Sequence, residues 1–168
     1  VYQIGDHVVY HSVGVCRIID ICRKDFGDAS ESEYFVLETV YGNTMTVYIP
    51  TDNYESVLRP LMTKEELLEL VWTLPDTNDE WIADNATRKE MFHHAILSKD
   101  QSELIRMIKL LYTRKQDLEN EGKRLAFSDS EAMKEAEKLL TNEFAFVLGI
   151  EPDQVVPFII EQLSDHSN

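Results

Sequence analysis

Between Pro60 and Thr63 the hydrophobic period of the chain changes, and one layer of secondary structure cannot serve both halves. Before that point, short runs rich in Val, Ile, Tyr and Phe alternate with Gly, Asp, Asn and Ser turns, the grammar of strands and hairpins. After it, apolar residues recur every three to four positions. The expected fold class is therefore α+β in two domains, residues 1–61 and 62–168. No Gly/Ser run separates the halves, so the β module is expected to be docked onto the helical one or closely tethered to it. With 168 residues and 43% hydrophobic content, there is apolar material for a core.

In the first half, Gly5-Asp6 is a turn pair, Val8-Val9-Tyr10 suits a pleated surface, and Gly14 permits a reversal. Residues 15–23 carry apolar side chains on both faces, which fits a long strand bending through a small barrel. A polar loop over 27–32 precedes a strand over 33–40, and Tyr41-Gly42-Asn43-Thr44 is a hairpin turn. Beyond it Met45, Val47 and Ile49 alternate with Thr44, Thr46 and Tyr48, predicting one core face and one available face. Pro50 ends that strand, and Val57-Leu58-Arg59-Pro60 supplies a short fifth one. Five short strands without an intervening helix predict a small SH3- or Tudor-like β-barrel.

The second half reads as an all-α helical bundle. Thr63-Lys64-Glu65-Glu66 is a capping box that opens a first helix, which stops near Leu74-Pro75. A second helix starting within 76–79 is expected to carry Trp81, Ile82, Phe92, Ala95 and Ile96. Asp100 or Ser102 caps a third, apolar around most of its circumference, which belongs in the middle of the bundle, and Gly122 ends it. Ser128-Asp129-Ser130-Glu131 reads as a second capping box, opening a fourth helix whose stripe of Met133, Ala136, Leu140, Phe144 and Val147 ends at Gly149. Pro152 suits the first turn of a last helix, which Pro157 is expected to interrupt.

A net charge of −15 opposes general attraction to nucleic acid or anionic membrane, so any contact with DNA must be local. From Arg88 to Arg124, nine basic residues face six acidic ones, a net of +3 that either orients the molecule on phosphates or is an ordinary mixed surface. Cys16 and Cys22 fall in one strand and read as reduced core thiols. No apolar run reaches membrane-spanning length, and Val1-Tyr2 leads into the first turn without the layout of a signal peptide, so a cytoplasmic location is expected. Neither a phosphate-cradling loop nor a nucleophile elbow is present, and the adjacent His93 and His94 point apart on a helix. The expectation is a non-enzymatic protein with no metal, cofactor, small-molecule substrate or membrane partner. Tyr48, pointing outward, is either a partner anchor or a plain surface aromatic.

The stretch Ile4-Gly5-Asp6-His7-Val8-Val9-Tyr10 with Gly14-Val15, then Glu33-Tyr34-Phe35-Val36-Leu37 and Thr46-Val47-Tyr48-Ile49-Pro50, resembles the CarD/CdnL family of bacterial transcription regulators. In the second half the resemblance continues through Asp79-Glu80-Trp81, Ala136-Glu137-Lys138-Leu139-Leu140 and Glu143-Phe144-Ala145. The first module is also similar to the polymerase-interacting domain of transcription-repair coupling factors. The resemblance implies a Tudor-like module docking on the β-subunit lobe of RNA polymerase, partly by strand-edge pairing. It further implies a helical domain beside the upstream edge of the promoter bubble that stabilises the open complex.

By position, Lys24 and Tyr48 correspond to polymerase-contacting arginines of the family, and Val47, Ile49 and Pro50 complete the implied contact strand. Tyr48 removes a charge there, shifting the contact toward apolar or backbone pairing. Trp81 matches the family's minor-groove wedge, though it reads equally as a core aromatic. Its neighbours Glu80 and Ile82-Ala83-Asp84-Asn85 stand where the family follows with arginines and lysines, leaving Arg88, Lys89, Lys123 and Arg124 as DNA-contacting candidates. The alternative is a polymerase-binding adaptor whose acidic helical domain binds another protein and not promoter DNA.

Overall fold

The computed structural model describes residues 1–11, 13–27, 30–74, 80–98 and 100–166. The chain divides into two compact units, Val1–Met62 and Thr63–Asn168. The first is an antiparallel five-stranded sheet of β1 (His7–Tyr10), β2 (Gly14–Lys24), β3 (Ser32–Thr39), β4 (Thr46–Pro50) and β5 (Leu58–Pro60), with a 3-10 turn at Tyr54–Ser56. Hydrogen-bonded neighbours run β4-β3-β2-β1-β5, which leaves β4 and β5 as the sheet edges. Val8, Cys16, Ile18, Phe35, Leu37, Ile49 and Leu58 form the core of this unit.

A bulge in β2 decides which side chains share a face. Ile18 pairs with Leu37, but Ile21 pairs with Phe35, so three positions of β2 span two of β3. Strict alternation from Cys16 and Ile18 would carry Asp20, Cys22 and Lys24 to the core face. The extra residue resets the phase: Ile21 packs against the core, and Lys24 reaches the opposite face. Apolar residues on both sides of 15–23 thus mark a bulge.

Met45 departs from the expected alternation. It precedes β4 and is 45% exposed, whereas Val47 and Ile49 pack on the core. The Met45 carbonyl still accepts from the Thr39 amide at 3.1 Å, so Met45 keeps the ladder register but lies before the start of β4, at the hairpin turn.

The second unit contains α1 (Lys64–Trp72), α2 (Asn85–Leu97), α3 (Gln101–Asn120), α4 (Phe127–Leu148) and α5 (Pro152–His166). Thr63 caps α1, its hydroxyl accepting from the Glu66 amide at 3.1 Å. Asp100 caps α3 by accepting from the Ser102 amide at 3.0 Å. At the other end of α3, Gly122 adopts φ +72° while the Gly122 and Lys123 amides donate to Glu119 and Leu118, a Schellman closure. Leu104, Ile105, Met107, Ile108 and Leu111 are buried, and α3 packs against α1, α2 and α4, as its broad apolar surface requires.

Three helix boundaries differ from expectation. The stop at Pro75 and the start within 76–79 lie outside the described residues, as does Lys99. Among the described ones, α2 begins at Asn85 with Asp84 as its cap, so Trp81 and Ile82 precede the helix. The α4 helix begins at Phe127 with Ala126 at the cap position and no side-chain cap, so Ser128 lies inside the first turn instead of capping it. The α5 helix continues through Pro157, with Val155 and Ile159 buried on either side of it. Among the described residues, no helix is long and apolar enough to cross a membrane.

Candidate functional site

The main-chain pattern of β4 determines what its edge offers. Thr39 donates to Met45 and Thr51 to Glu33, so alternate pairs 37/47 and 35/49 exchange the ladder hydrogen bonds between them. The N–H and C=O groups of Thr46 and Tyr48, and the carbonyl of Pro50, therefore point away from β3 along the sheet edge. Pro50 contributes no donor, so the available ladder is short. Val47 and Ile49 do not fit the contact role that the resemblance gives them: their side chains face the core, Ile49 being 6% exposed, and β3 takes their main-chain groups. Thr46, absent from the expected set, is exposed and edge-facing.

Lys24 and Tyr48, 24 positions apart, meet beside this edge. The Lys24 Nζ donates to the Tyr48 hydroxyl at 3.3 Å and lies 4.7 Å from the ring centre. Phe26 and Tyr34 complete the patch, their ring centres 5.3 and 6.5 Å from that of Tyr48 and 5.0 Å from each other, all edge-to-face. Phe26 is 59% exposed, so the cluster is a surface. A cation thus sits on aromatic rings next to strand groups that are unpaired among the described residues, an arrangement suited to an extended segment with an acidic or carbonyl-rich flank. Phe26 and Tyr34 escaped sequence reasoning because their alignment with Tyr48 depends on the β2 bulge and the turn after Lys24.

In the helical unit, Arg88 is not a surface cation. It is 4% exposed, and its Nε and Nη2 donate to the two Asp129 carboxylate oxygens at 2.8 and 3.0 Å. Nη1 donates to the Ile82 carbonyl and Nη2 to Asn85 Oδ1, each at 2.7 Å. The guanidinium carbon also lies 4.6 Å from the Trp81 ring centre, and that of Arg114 lies 5.3 Å away. The Arg114 Nε is buried without a hydrogen bond, consistent with stacking in its place. Phe92 packs at 6.3 Å. Trp81 is half-buried here, tied to α2 and α3 by two cations and a ring, which fits the packing role of its two readings.

Asp84 holds the same loop. It accepts from the Thr87 amide at 3.1 Å and from the Thr87 hydroxyl, and these bonds push its carboxyl below the usual range.

Lys89 is exposed on α2. Lys123 and Arg124, also exposed, line a cleft at the α3–α4 turn together with Lys115 and Lys134, against Glu119 and Glu137. Lys123 pairs loosely with Glu121 at 3.5 Å, an exposed contact that water screens. Burial pushes the Glu137 carboxyl up while Lys115 pulls it down. Lys134 was missed by sequence reasoning, since only the fold returns α4 alongside the end of α3.

Among the described residues, no group of three or more His, Cys, Asp or Glu side chains is placed to hold a metal. No curated protein matches the chain. A family model does: the CarD-like/TRCF RID domain matches residues 2–62, which spans the β unit from its second residue to its last and includes the Lys24–Tyr48 patch and the free β4 edge.

Proposed function

We propose that the protein is a non-enzymatic bacterial transcription regulator whose β unit binds RNA polymerase at the β-subunit lobe. A partner strand adds to the β4 edge at Thr46 and Tyr48 while the Lys24, Phe26, Tyr34 and Tyr48 patch receives its side chains. The observation that carries this reading is the conjunction of an unpaired edge with a cation-bearing aromatic surface inside the span that matches the CarD-like/TRCF RID domain. The helical unit then lies near upstream-fork promoter DNA, where Lys115, Lys123, Arg124 and Lys134 offer a local phosphate site in an otherwise acidic chain. Its expected effect is stabilisation of the open complex.

The test is binding of the full chain to the isolated polymerase β lobe. Thr46→Pro deletes an edge-facing N–H and leaves the β3 ladder intact, and Tyr48→Ala removes the central ring. Each variant is expected to weaken binding about tenfold, about 1.4 kcal/mol. No binding of the parent chain at micromolar concentrations, or binding unaffected by both variants, refutes the reading.

A second reading, the polymerase-bound adaptor without DNA contact, is favoured by the engagement of Trp81 and Arg88 in packing. Salt separates the two: phosphate contact weakens steeply as salt rises, whereas adaptor function does not. Trp81→Ala lowers promoter opening only if the ring reaches DNA.

A further inference from the structure

We propose that the groove between α2 and the start of α4 is a docking site for a basic amphipathic helix of a partner protein. The groove holds about 760 Å³. Phe92 and Ile96 line it from α2, and Phe127 and Ala132 from α4. Phe127 is 81% exposed at the first turn of α4, the most exposed aromatic ring in the described chain, and it contributes nothing to the core. A large apolar ring held beside an apolar trough is the usual form of an unoccupied anchor point.

Charge selects the occupant. Glu90 stands on the α2 wall and Glu131 and Glu135, one turn apart, on the α4 wall, with Lys89 as the basic lining residue. Glu131 shares its charge with Lys134 at 3.3 Å, but both side chains are well exposed and the pair exchanges readily with water. Asp129 at the groove end is committed to Arg88. The trough is thus apolar below, acidic along its α4 rim and mixed along its α2 rim, where Lys89 stands beside Glu90 and His93, so its net negative charge is complementary to a helix with one apolar face flanked by Lys or Arg.

Other occupants fit worse. Phosphates are repelled by the rims, and a second copy would set the same carboxylates against each other in a chain already at −15. The lining positions on α2 run from 86 to 96, roughly 15 Å at about 1.5 Å per residue, which accommodates about three turns of helix. The proposal deepens the adaptor reading by naming the partner's chemistry. It does not involve the β4 edge, so its failure leaves polymerase docking untouched.

The experiment titrates the full chain with a synthetic capped peptide of about 14 residues, long enough for those turns, with Leu on one helical face and Lys on the other. Comparators are the same peptide with Glu for Lys and one of identical composition without helical periodicity. The amphipathic Lys peptide is expected to bind and to shift amide resonances at 96, 127 and 132. Phe127→Ala should raise its Kd about tenfold, and Glu131→Lys with Glu135→Lys should do so by a similar factor. All three residues are exposed, so the fold is retained. Equal binding of either comparator, a Kd unchanged by both variants, or shifts outside the groove overturns the proposal, as does no binding of the Lys peptide. So does sedimentation showing that Phe127 mediates self-association.

Discussion

Replacing Asp129 tests whether Arg88 belongs to the interior or to a DNA surface. The two side chains are 4% and 6% exposed and share two parallel bonds. Removing one partner of a buried pair costs about 3–5 kcal/mol, because the remaining charge is left in a poorly solvated site. The Ile82 carbonyl and the Asn85 side chain still receive the guanidinium at 2.7 Å, so the lower part of that range applies, about 3–4 kcal/mol for Asp129→Asn. For a unit of this size that is a fall in Tm of roughly 12–16 °C. Both tryptophans, Trp72 and Trp81, lie in the helical unit, so tryptophan fluorescence excited beyond the tyrosine band reports on that unit during urea or thermal unfolding. Arg88→Met with Asp129→Leu should recover most of the loss, since an apolar pair leaves no buried charge. A loss below about 1 kcal/mol for Asp129→Asn, the level of an exposed pair, refutes the reasoning. So does an Arg88→Met variant that keeps its stability and flattens the salt dependence of DNA binding.

Lys123→Gln with Arg124→Gln should lower the slope of log K against log salt for promoter DNA by about 0.9 for each phosphate that is no longer neutralised, read from filter binding at several salt concentrations. Burial pushes the Cys16 thiol from its ordinary 9.0 up to about 11, so the folded state holds it neutral where an unfolded chain would ionise it. Its stabilising contribution is intact below pH 9.0 and declines as the pH rises toward 11. At pH 8, iodoacetamide followed by mass spectrometry should find half-buried Cys22 modified and Cys16 protected until the β unit unfolds. Asp84→Ala should speed hydrogen exchange at the Thr87 amide. Because the Asp84 carboxyl is depressed, acid should produce the same loss only below the ordinary carboxylate range.

The β unit was legible because its turns carry their own chemistry. Gly5, Gly14 and Gly42 all adopt positive φ, and Val47 and Ile49 reach the core as alternation required. What alternation could not show was phase: a single bulge between Ile18 and Asp20 sends Lys24 to the Tyr48 face, and no local signal separates a bulged strand from a bent one. In the helical unit, caps at Thr63 and Asp100 were readable because each satisfies amides two or three residues away. The Ser128-Asp129-Ser130-Glu131 sequence misled because the helix starts two residues earlier, with Ala126 at the cap position, which puts Ser128 inside the first turn and turns the Asp129 side chain to Arg88, 41 positions earlier. Trp81 looked like part of a helical face because it lies three residues before Asp84, and only the cap geometry shows that the helix starts later.

The helical unit separates two chemistries on one element. On α4, at about 100° per residue, Phe127, Glu131 and Glu135 fall on one side, Ser130, Lys134 and Glu137 on a second, and Asp129 and Ala136 on the buried third. The acidic groove and the basic cleft are therefore neighbours on the same rigid helix, roughly 100° apart, with the Glu131–Lys134 pair straddling their border. Neither surface needs the other to move. A net charge of −15 hides this arrangement, because the sum over the chain says nothing about which carboxylates flank an apolar trough and which lysines converge at a helix turn. The proposed contact with phosphate and the proposed contact with a basic partner helix are thus geometrically compatible on one unit, and the two readings of the protein, DNA-proximal regulator and adaptor, differ in which face of α4 they use.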